Sequence, residues 1–287
     1  MKISDIFAKK EVTLSFEVFP PKTEVSYLSV EEATERIAAI GPDFMSVTYG
    51  AGGGTSQHTA SIARDLQEKY GTPVLAHLTC VSSDRAHVQN MIRTYRDLGI
   101  ENIMALRGDI PEGGRTVFDY DHASDLIREI RASGGGFCIG GACYPEGHVE
   151  CPSQAEDIRH LKEKVDAGCD FLTTQMFFDN STLYSFLYRI REAGIKVPVV
   201  AGIMPITTVS QVERSVKLSG ATIPQRFRTM VDRFGSDPAK MKQAGIIYAT
   251  EQIIDLIANG VGHIHVYTMN KPEIAAGIRS SLSEIWK

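Results

Sequence analysis

Short apolar runs and amphipathic stretches alternate along almost the whole chain, and this alternation narrows the fold more than any other feature. Eight runs read as strands: Leu14–Phe19, Phe44–Tyr49, Val74–Thr79, Ile103–Arg107, Phe137–Tyr144, Phe171–Phe177, Val197–Met204 and His263–Thr268. Most are followed by a helical pattern, as in Val30–Ala39, Gln57–Tyr70, Asp84–Leu98, Ala123–Ala132, Gln154–Ala167, Thr182–Ala193 and Val209–Leu218. Pro42, Pro73 and Pro198 precede or open strands, where a missing N–H does least harm. Strands alternating with helices make a parallel sheet, and eight of them predict an α/β fold, a (β/α)8 TIM barrel forming a single domain over residues 1–287. The seventh connection, Pro205 to Gly260, is longer and holds further helical runs at Ile223–Phe234 and Asp237–Asn259. An open doubly wound sheet is the competing arrangement, but no dinucleotide fingerprint accompanies it.

At 287 residues and 43% hydrophobic composition, the chain can bury a sizeable core. A net charge of −5 gives no basic footprint for nucleic acid. No apolar run has the length of a membrane span, and MKISDIFAKKEV contains no signal-peptide core. Five cysteines without a CxxC read as free thiols, and the expectation is a cytoplasmic protein.

The turn TYGAGGGTSQ (48–57) places four glycines between a strand and a helix. No Lys follows to complete a phosphate loop, and no acid ends the next strand to complete a dinucleotide site. Left-handed turn geometry needs fewer glycines than this. The turn reads as backbone that something flat approaches closely.

Strand parity assigns the barrel interior. Leu14, Phe16 and Val18 share one face, suited to the helices, and Ser15 and Glu17 share the other. The same parity points Ser46, Thr48, Leu75, His77, Ala142, Tyr144, Thr173, Gln175, His263, His265 and Tyr267 inward, with Arg107 and Asp109 at the end of the fourth strand. Barrel interiors favour branched apolar side chains, so polar groups converging from seven strands argue for a site at the C-terminal mouth. No strand ends in Lys, which argues against a Schiff-base aldolase. His263 and His265 could share a metal, yet no carboxylates cluster with them on that strand, and no metal is expected. One acid (Glu17), one anion (Asp109), amides and hydroxyls suit a cofactor that carries the chemistry while the protein supplies a proton and a field. Asp157, His160 and Lys164 fall on one helix face, away from Ile158, Leu161 and Val165. That face is either solvated or a clamp for a ribose and a pyrophosphate.

The motifs SFEVFPPK (15–22), VTYGAGG (47–53), HLTC (77–80), ALRGD (105–109), YPEGH (144–148), LKEKVDAG (161–168), TQMFFD (174–179), GIMP (202–205) and HVYTMN (265–270) together resemble the short bacterial form of the flavin-dependent methylenetetrahydrofolate reductases. The resemblance implies a barrel that binds FAD and reduces 5,10-methylenetetrahydrofolate to 5-methyltetrahydrofolate with NADH or NADPH, in one-carbon metabolism and methionine synthesis. It implies small-molecule substrates, no nucleic-acid or membrane partner, and a homo-oligomer. By motif position, Glu17 resembles the acid that assists ring opening and Asp109 the carboxylate beside flavin and pterin. Gln175 resembles the amide that meets folate and nicotinamide, and Lys271 lies near the folate end. Thr48, Tyr49, Ala51, His77, Arg107, Gly108, Asp109, Ala123, Tyr144, His148, Asp157, His160 and Lys164 lie where the family binds FAD, and Glu17, Asp109, Gln175 and Lys271 where it binds substrate. Val209, Glu163 and His122 depart from the family's usual Phe, Arg and Tyr. Another flavin barrel, of the proline-dehydrogenase type, and a non-catalytic folate-binding barrel are the alternatives.

Overall fold

A computed structural model describes residues 1–21, 27–49, 56–110 and 113–286. Eight parallel strands close into a barrel in sequence order. They are β1 (Thr13–Val18), β2 (Phe44–Val47), β3 (Val74–Thr79), β4 (Asn102–Leu106), β5 (Cys138–Cys143), β6 (Phe171–Thr174), β7 (Val199–Ile203) and β8 (His263–Tyr267). Between and around them run α1 (Ile3–Phe7), α2 (Tyr27–Ala38), α3 (Ser56–Tyr70), α4 (Arg85–Asp97), α5 (Ala123–Ala132), α6 (Gln154–Asp166), α7 (Asn180–Glu192), α8 (Val209–Ser219), α9 (Gln225–Phe234), α10 (Pro238–Ala258) and α11 (Pro272–Ser281).

The barrel shuts where β1 pairs with β8, with Thr13 beside His263, Ser15 beside His265 and Glu17 beside Tyr267. On the other side of β1, Glu17 faces Ser46 of β2. The expected parity holds on β1. Leu14, Phe16 and Val18 belong to the large apolar layer shared with the helices. A second cluster fills the N-terminal half of the barrel, built from Phe44, Leu75, Met104, Cys138, Phe171 and Val200 and plugged by Ile3 and Ile6 of α1. The apolar filling is therefore densest in the lower interior, and polar side chains such as Glu17, His77 and His265 stand above it.

Two helices escape the sequence pattern. Helix α1 has 5 residues, too few for a readable period. Helix α11 starts at Pro272, whose fixed φ suits a first helical turn. Helix α9 begins two residues later than expected, because Pro224 stands at its N-cap with extended backbone. Strand β4 starts at Asn102, a weak strand former. The Asn102 amide ties the sheet to α1: Oδ1 accepts from Ile3 N at 2.8 Å, and Nδ2 donates to Val74 O at 3.0 Å.

The buried carboxylate of Asp43 joins the bottom of the barrel to both ends of the chain. It accepts from Leu14 N and from Trp286 Nε1, each at 2.8 Å, and pairs with Lys10 at 2.5 Å. Removing it strands two buried donors, each worth roughly 1–3 kcal/mol. Asp43→Ala should lower the urea-unfolding free energy by about 3 kcal/mol, whereas Lys10→Ala, at an exposed cation, should cost about 1 kcal/mol or less. Trp286 is the only tryptophan in the sequence, so its emission should shift to the red in Asp43→Ala as the C-terminus undocks. Equal losses in the two variants would show that the carboxylate only balances Lys10.

Candidate active site at the C-terminal mouth

A cavity of about 720 Å³ opens over the C-terminal ends of the strands, within the roughly 300–1,000 Å³ typical of ligand sites. Its floor carries Glu17, His77, His265 and Tyr267. Glu17 is 6% exposed. Its Oε2 lies 3.5 Å from Ser46 Oγ, 3.8 Å from His77 Nε2 and 3.9 Å from His265 Nε2. Among the described residues no Lys or Arg pairs with it. Burial lowers the pKa of His77 to about 4; Glu17 opposes the shift and His265 adds to it. The His77 ring is therefore neutral at physiological pH and gives Glu17 no cationic partner.

Both nitrogens of His265 are engaged, Nδ1 with Ser15 Oγ at 2.8 Å and Nε2 with Ser46 Oγ at 3.1 Å. His263 lies lower, with Nδ1 at 3.1 Å from Thr13 Oγ1 and its ring stacked on Phe7. The two histidines thus take separate partners. The Tyr267 hydroxyl donates to Thr174 O at 2.6 Å. Gly202 makes room for that phenol, since a Cβ there would stand 2.6 Å from its oxygen and 2.3 Å from Thr174 O.

One wall comes from α6, whose N-cap Ser153 accepts from Glu156 N and whose Leu161 is buried. Asp157, His160 and Lys164 all reach the cavity, so this face is not simply solvated. Lys164 threads its stem past Gly141, where a Cβ would meet Lys164 Cδ at 2.9 Å. Its Nζ donates to Ala142 O at 2.5 Å. Burial lowers the Lys164 pKa, against the pull of Cys169, Cys143 and Asp157. Burial raises that of Asp157, against Lys164 and His148. Tyr144 packs edge-on to His148, with ring centres 4.5 Å apart.

Strand β4 departs from the expected parity. Its inward residues are Asn102, Met104 and Leu106, and the strand ends at Leu106. Arg107, Gly108 and Asp109 belong to the following loop. They reach the cavity because the chain bends across the mouth, with Val81 N donating to Arg107 O at 2.7 Å. Gly108 has φ +87° and sits against Val81, where a Cβ would stand 2.8 Å from Cγ1. Asp109 is exposed. Arg107 forms a two-pronged pair with Glu150, at 2.7 and 3.0 Å.

The cavity wall brings together Glu17, Tyr49, His77, Arg107, Gly108, Asp109, Ala123, Tyr144, His148, Asp157, His160, Lys164 and Gln175 among the expected residues. Tyr49 is buried, its hydroxyl 3.0 Å from His87 Nε2. Gln175 Oε1 accepts from Met176 N at 2.9 Å. Thr48 and Lys271 are not in the wall. Thr48 lies just past β2, its carbonyl accepting from Thr59 Oγ1 at 2.9 Å, and Lys271 caps α11 with Nζ 3.4 Å from Thr207 Oγ1. Ala51 and the glycines of the 50–54 turn lie outside the described residues. Of the three departures from the family pattern, His122 and Glu163 line the cavity and Val209 does not. Sequence reasoning missed a strip of α8, Gln211, Arg214, Ser215 and Leu218, which also lines it. Their i, i+3, i+4, i+7 spacing was readable as one helix face.

These features define the class: a closed (β/α)8 barrel with a ligand-sized, polar-floored cavity at the end where such barrels hold their sites. The family model for methylenetetrahydrofolate reductase matches residues 2–283, and the chain belongs to that family. Methylenetetrahydrofolate reductase 1 of Schizosaccharomyces pombe is 38% identical over 94% of this chain and 46% of its own length. The 5,10-methylenetetrahydrofolate reductase of Escherichia coli is 34% identical, covering 95% of this chain and 91% of its own. The chain therefore spans about half of the yeast relative and nearly all of the bacterial one. A solved structure of a Clostridium thermocellum protein, described as binding two copies of 5-methyl-5,6,7,8-tetrahydrofolic acid, shares the fold at a TM-score of 0.63 and 15% identity, with 98% of each chain covered.

The lowered pKa of His77 has a consequence for stability. Between about pH 4 and 6.5 the unfolded chain binds the proton that folded His77 refuses, so stability falls as pH drops through this window and is level above it. His77→Gln should remove part of that dependence. Its unfolding free energy should fall by about 2–3 kcal/mol less than the wild type's between pH 7 and pH 4. Parallel pH–stability curves would show that His77 is not shielded from water.

Proposed function

We propose that the protein reduces 5,10-methylenetetrahydrofolate to 5-methyltetrahydrofolate, with FAD held in the cavity and NADH or NADPH as electron source. The observation that carries this reading is Glu17, a buried carboxylate with no Lys or Arg partner among the described residues, at the floor of a cavity large enough for a cofactor and substrate portions. Family membership and the names of the relatives support it.

The donor set fits the proposed cofactor. Among the described residues Lys164 Nζ makes one hydrogen bond, leaving two protons for a phosphate oxygen. Asp157 and His160, on the same face, offer an acceptor and a donor for ribose hydroxyls. Arg107, Gly108, Ala123, Tyr144 and His148 complete a wall for the phosphates and the ring system. Thr48, Tyr49, Ala51 and His77 belong to the same proposed site. FAD bound there would supply hydride transfer between nicotinamide and folate.

The protein's own part is the proton. Opening the five-membered ring of the substrate leaves N10 needing one, and Glu17 is the carboxylic acid at the floor. Asp109, exposed at the mouth, would stabilise positive charge developing on the substrate, and Gln175 would orient the pterin or the nicotinamide amide. Lys271, which reaches Thr207 just before α8, and Arg214 of α8 would meet the anionic tail. Cytoplasmic location and a homo-oligomeric state belong to the same proposal. The free cysteines suit the first, and no helix among the described residues is long and apolar enough to cross a membrane.

The test is anaerobic incubation of the purified protein with FAD, NADH or NADPH, and methylenetetrahydrofolate, followed by chromatography. The expected product is 5-methyltetrahydrofolate; its absence with both donors would sink the reading. Within the reaction, Glu17→Gln should leave oxidation of the nicotinamide within about an order of magnitude. The folate half-reaction should slow by roughly 10²–10⁴. Equal losses in both halves would mean that Glu17 only holds the site together.

A further inference from the structure

Below Glu17 runs a ladder of buried groups with one hydrogen too few to face both ways. Ser15, Ser46 and His265 are at most 3% exposed. Ser15 Oγ lies 3.0 Å from Ile264 O and 2.8 Å from His265 Nδ1. Ser46 Oγ lies 3.1 Å from His265 Nε2 and 3.5 Å from Glu17 Oε2. A serine hydroxyl has one hydrogen, and a neutral imidazole has one N–H.

With the His265 ring neutral, two hydrogen-bond directions are conceivable; a doubly protonated ring beside an ionised Glu17 is the remaining arrangement, which nitrogen-15 spectra distinguish. In the first, Ser15 donates to Ile264 O, His265 Nδ1–H donates to Ser15, Ser46 donates to His265 Nε2, and Ser46 is left to accept from Glu17. The three contacts of 2.8–3.1 Å are then hydrogen bonds, and Ser46 Oγ turns a lone pair toward Glu17 at 3.5 Å. In the second, Ser15 donates to Nδ1, Nε2–H donates to Ser46, and Ser46 donates to Glu17. Ser15 Oγ and Ile264 O then face each other lone pair to lone pair at 3.0 Å, inside the barrel, where an unmade hydrogen bond is costly. The carbonyl cannot donate, so for a neutral ring it selects the first direction.

We infer that Ser46 and His265 are positioning residues that present Glu17 with an acceptor, so that its carboxyl is held as a hydrogen-bond donor below the cavity. The other titratable groups facing Glu17 do not reverse this. The Tyr267 hydroxyl is turned to Thr174 O, and His77 stands 3.8 Å away. The inference deepens the proposed proton donor, and in its kinetic arm it rests on that reading. It also makes a claim about the chain alone, namely that His265 carries its proton on Nδ1, the minor tautomer of free imidazole.

That claim is testable without folate. Nitrogen-15 spectra of protein labelled at histidine, taken near pH 8 where imidazoles are neutral, should show His265 protonated at Nδ1, with its signal identified by loss in His265→Gln. Ser15→Ala removes the acceptor and should move the proton to Nε2. A proton on Nε2, or on both nitrogens, in the wild type would overturn the inference. In the kinetic arm, Ser46→Ala should slow the folate half-reaction by about ten-fold or more while leaving nicotinamide oxidation within about three-fold. If the tautomer is as expected but Ser46→Ala loses nothing in the folate step, positioning is refuted while the ladder's direction stands. If the wild type makes no product at all, the functional proposal has failed independently of the tautomer.

Discussion

Everything at the mouth depends on how β1 closes the barrel against β8. The register puts Ser15 beside His265 and Glu17 beside Tyr267, while the other edge of β1 sets Glu17 against Ser46. Side chains alternate across a strand, so a slip of one residue would turn Leu14, Phe16 and Val18 into the barrel and Ser15 and Glu17 out toward the helices. The apolar packing that forbids this slip is the same packing that presents the carboxylate. Specificity of fold and placement of the carboxylate are thus one constraint, enforced by hydrophobic side chains that do not line the cavity.

Below that layer the interior is ordinary core, and above it a polar floor meets walls that include Leu106 and Met204. Phe44, Leu75, Met104, Phe171 and Val200, stoppered by α1, exclude water from the lower half. This dry base lets burial act on the groups above it. His77 loses its charge, and the pKa of Lys164 is lowered at the cavity wall. Gly141 and Gly202 mark where backbone yields space, one to the Lys164 stem and the other to the Tyr267 phenol. Two glycines without evident turn roles thereby make room for side chains that line the cavity.

The barrel was legible because each of its strands is apolar on at least one face and bounded by turn residues. Glu17 and His77 were legible for the same reason, since parity needs only one well-placed strand. Parity failed at Arg107 and Asp109, where the strand had already ended and a loop carried the chain over the mouth. It could not reveal Glu150 as the partner of Arg107, because that pairing joins two loops 43 residues apart. Helix α1 and the Asp43–Trp286 contact were hidden likewise: one is too short for a period, and the other joins residues 243 apart.

A buried carboxylate with no Lys or Arg beside it among the described residues is a poor choice for stability, and its presence is best explained by chemistry. The most direct measurement replaces Glu17 with an apolar side chain of similar length. If the layer exists for function, Glu17→Met should match or exceed the wild-type unfolding free energy, by about 1 kcal/mol or more, while formation of 5-methyltetrahydrofolate is lost. A variant destabilised by about 2 kcal/mol or more, or one that still forms product at the wild-type rate, would contradict the account.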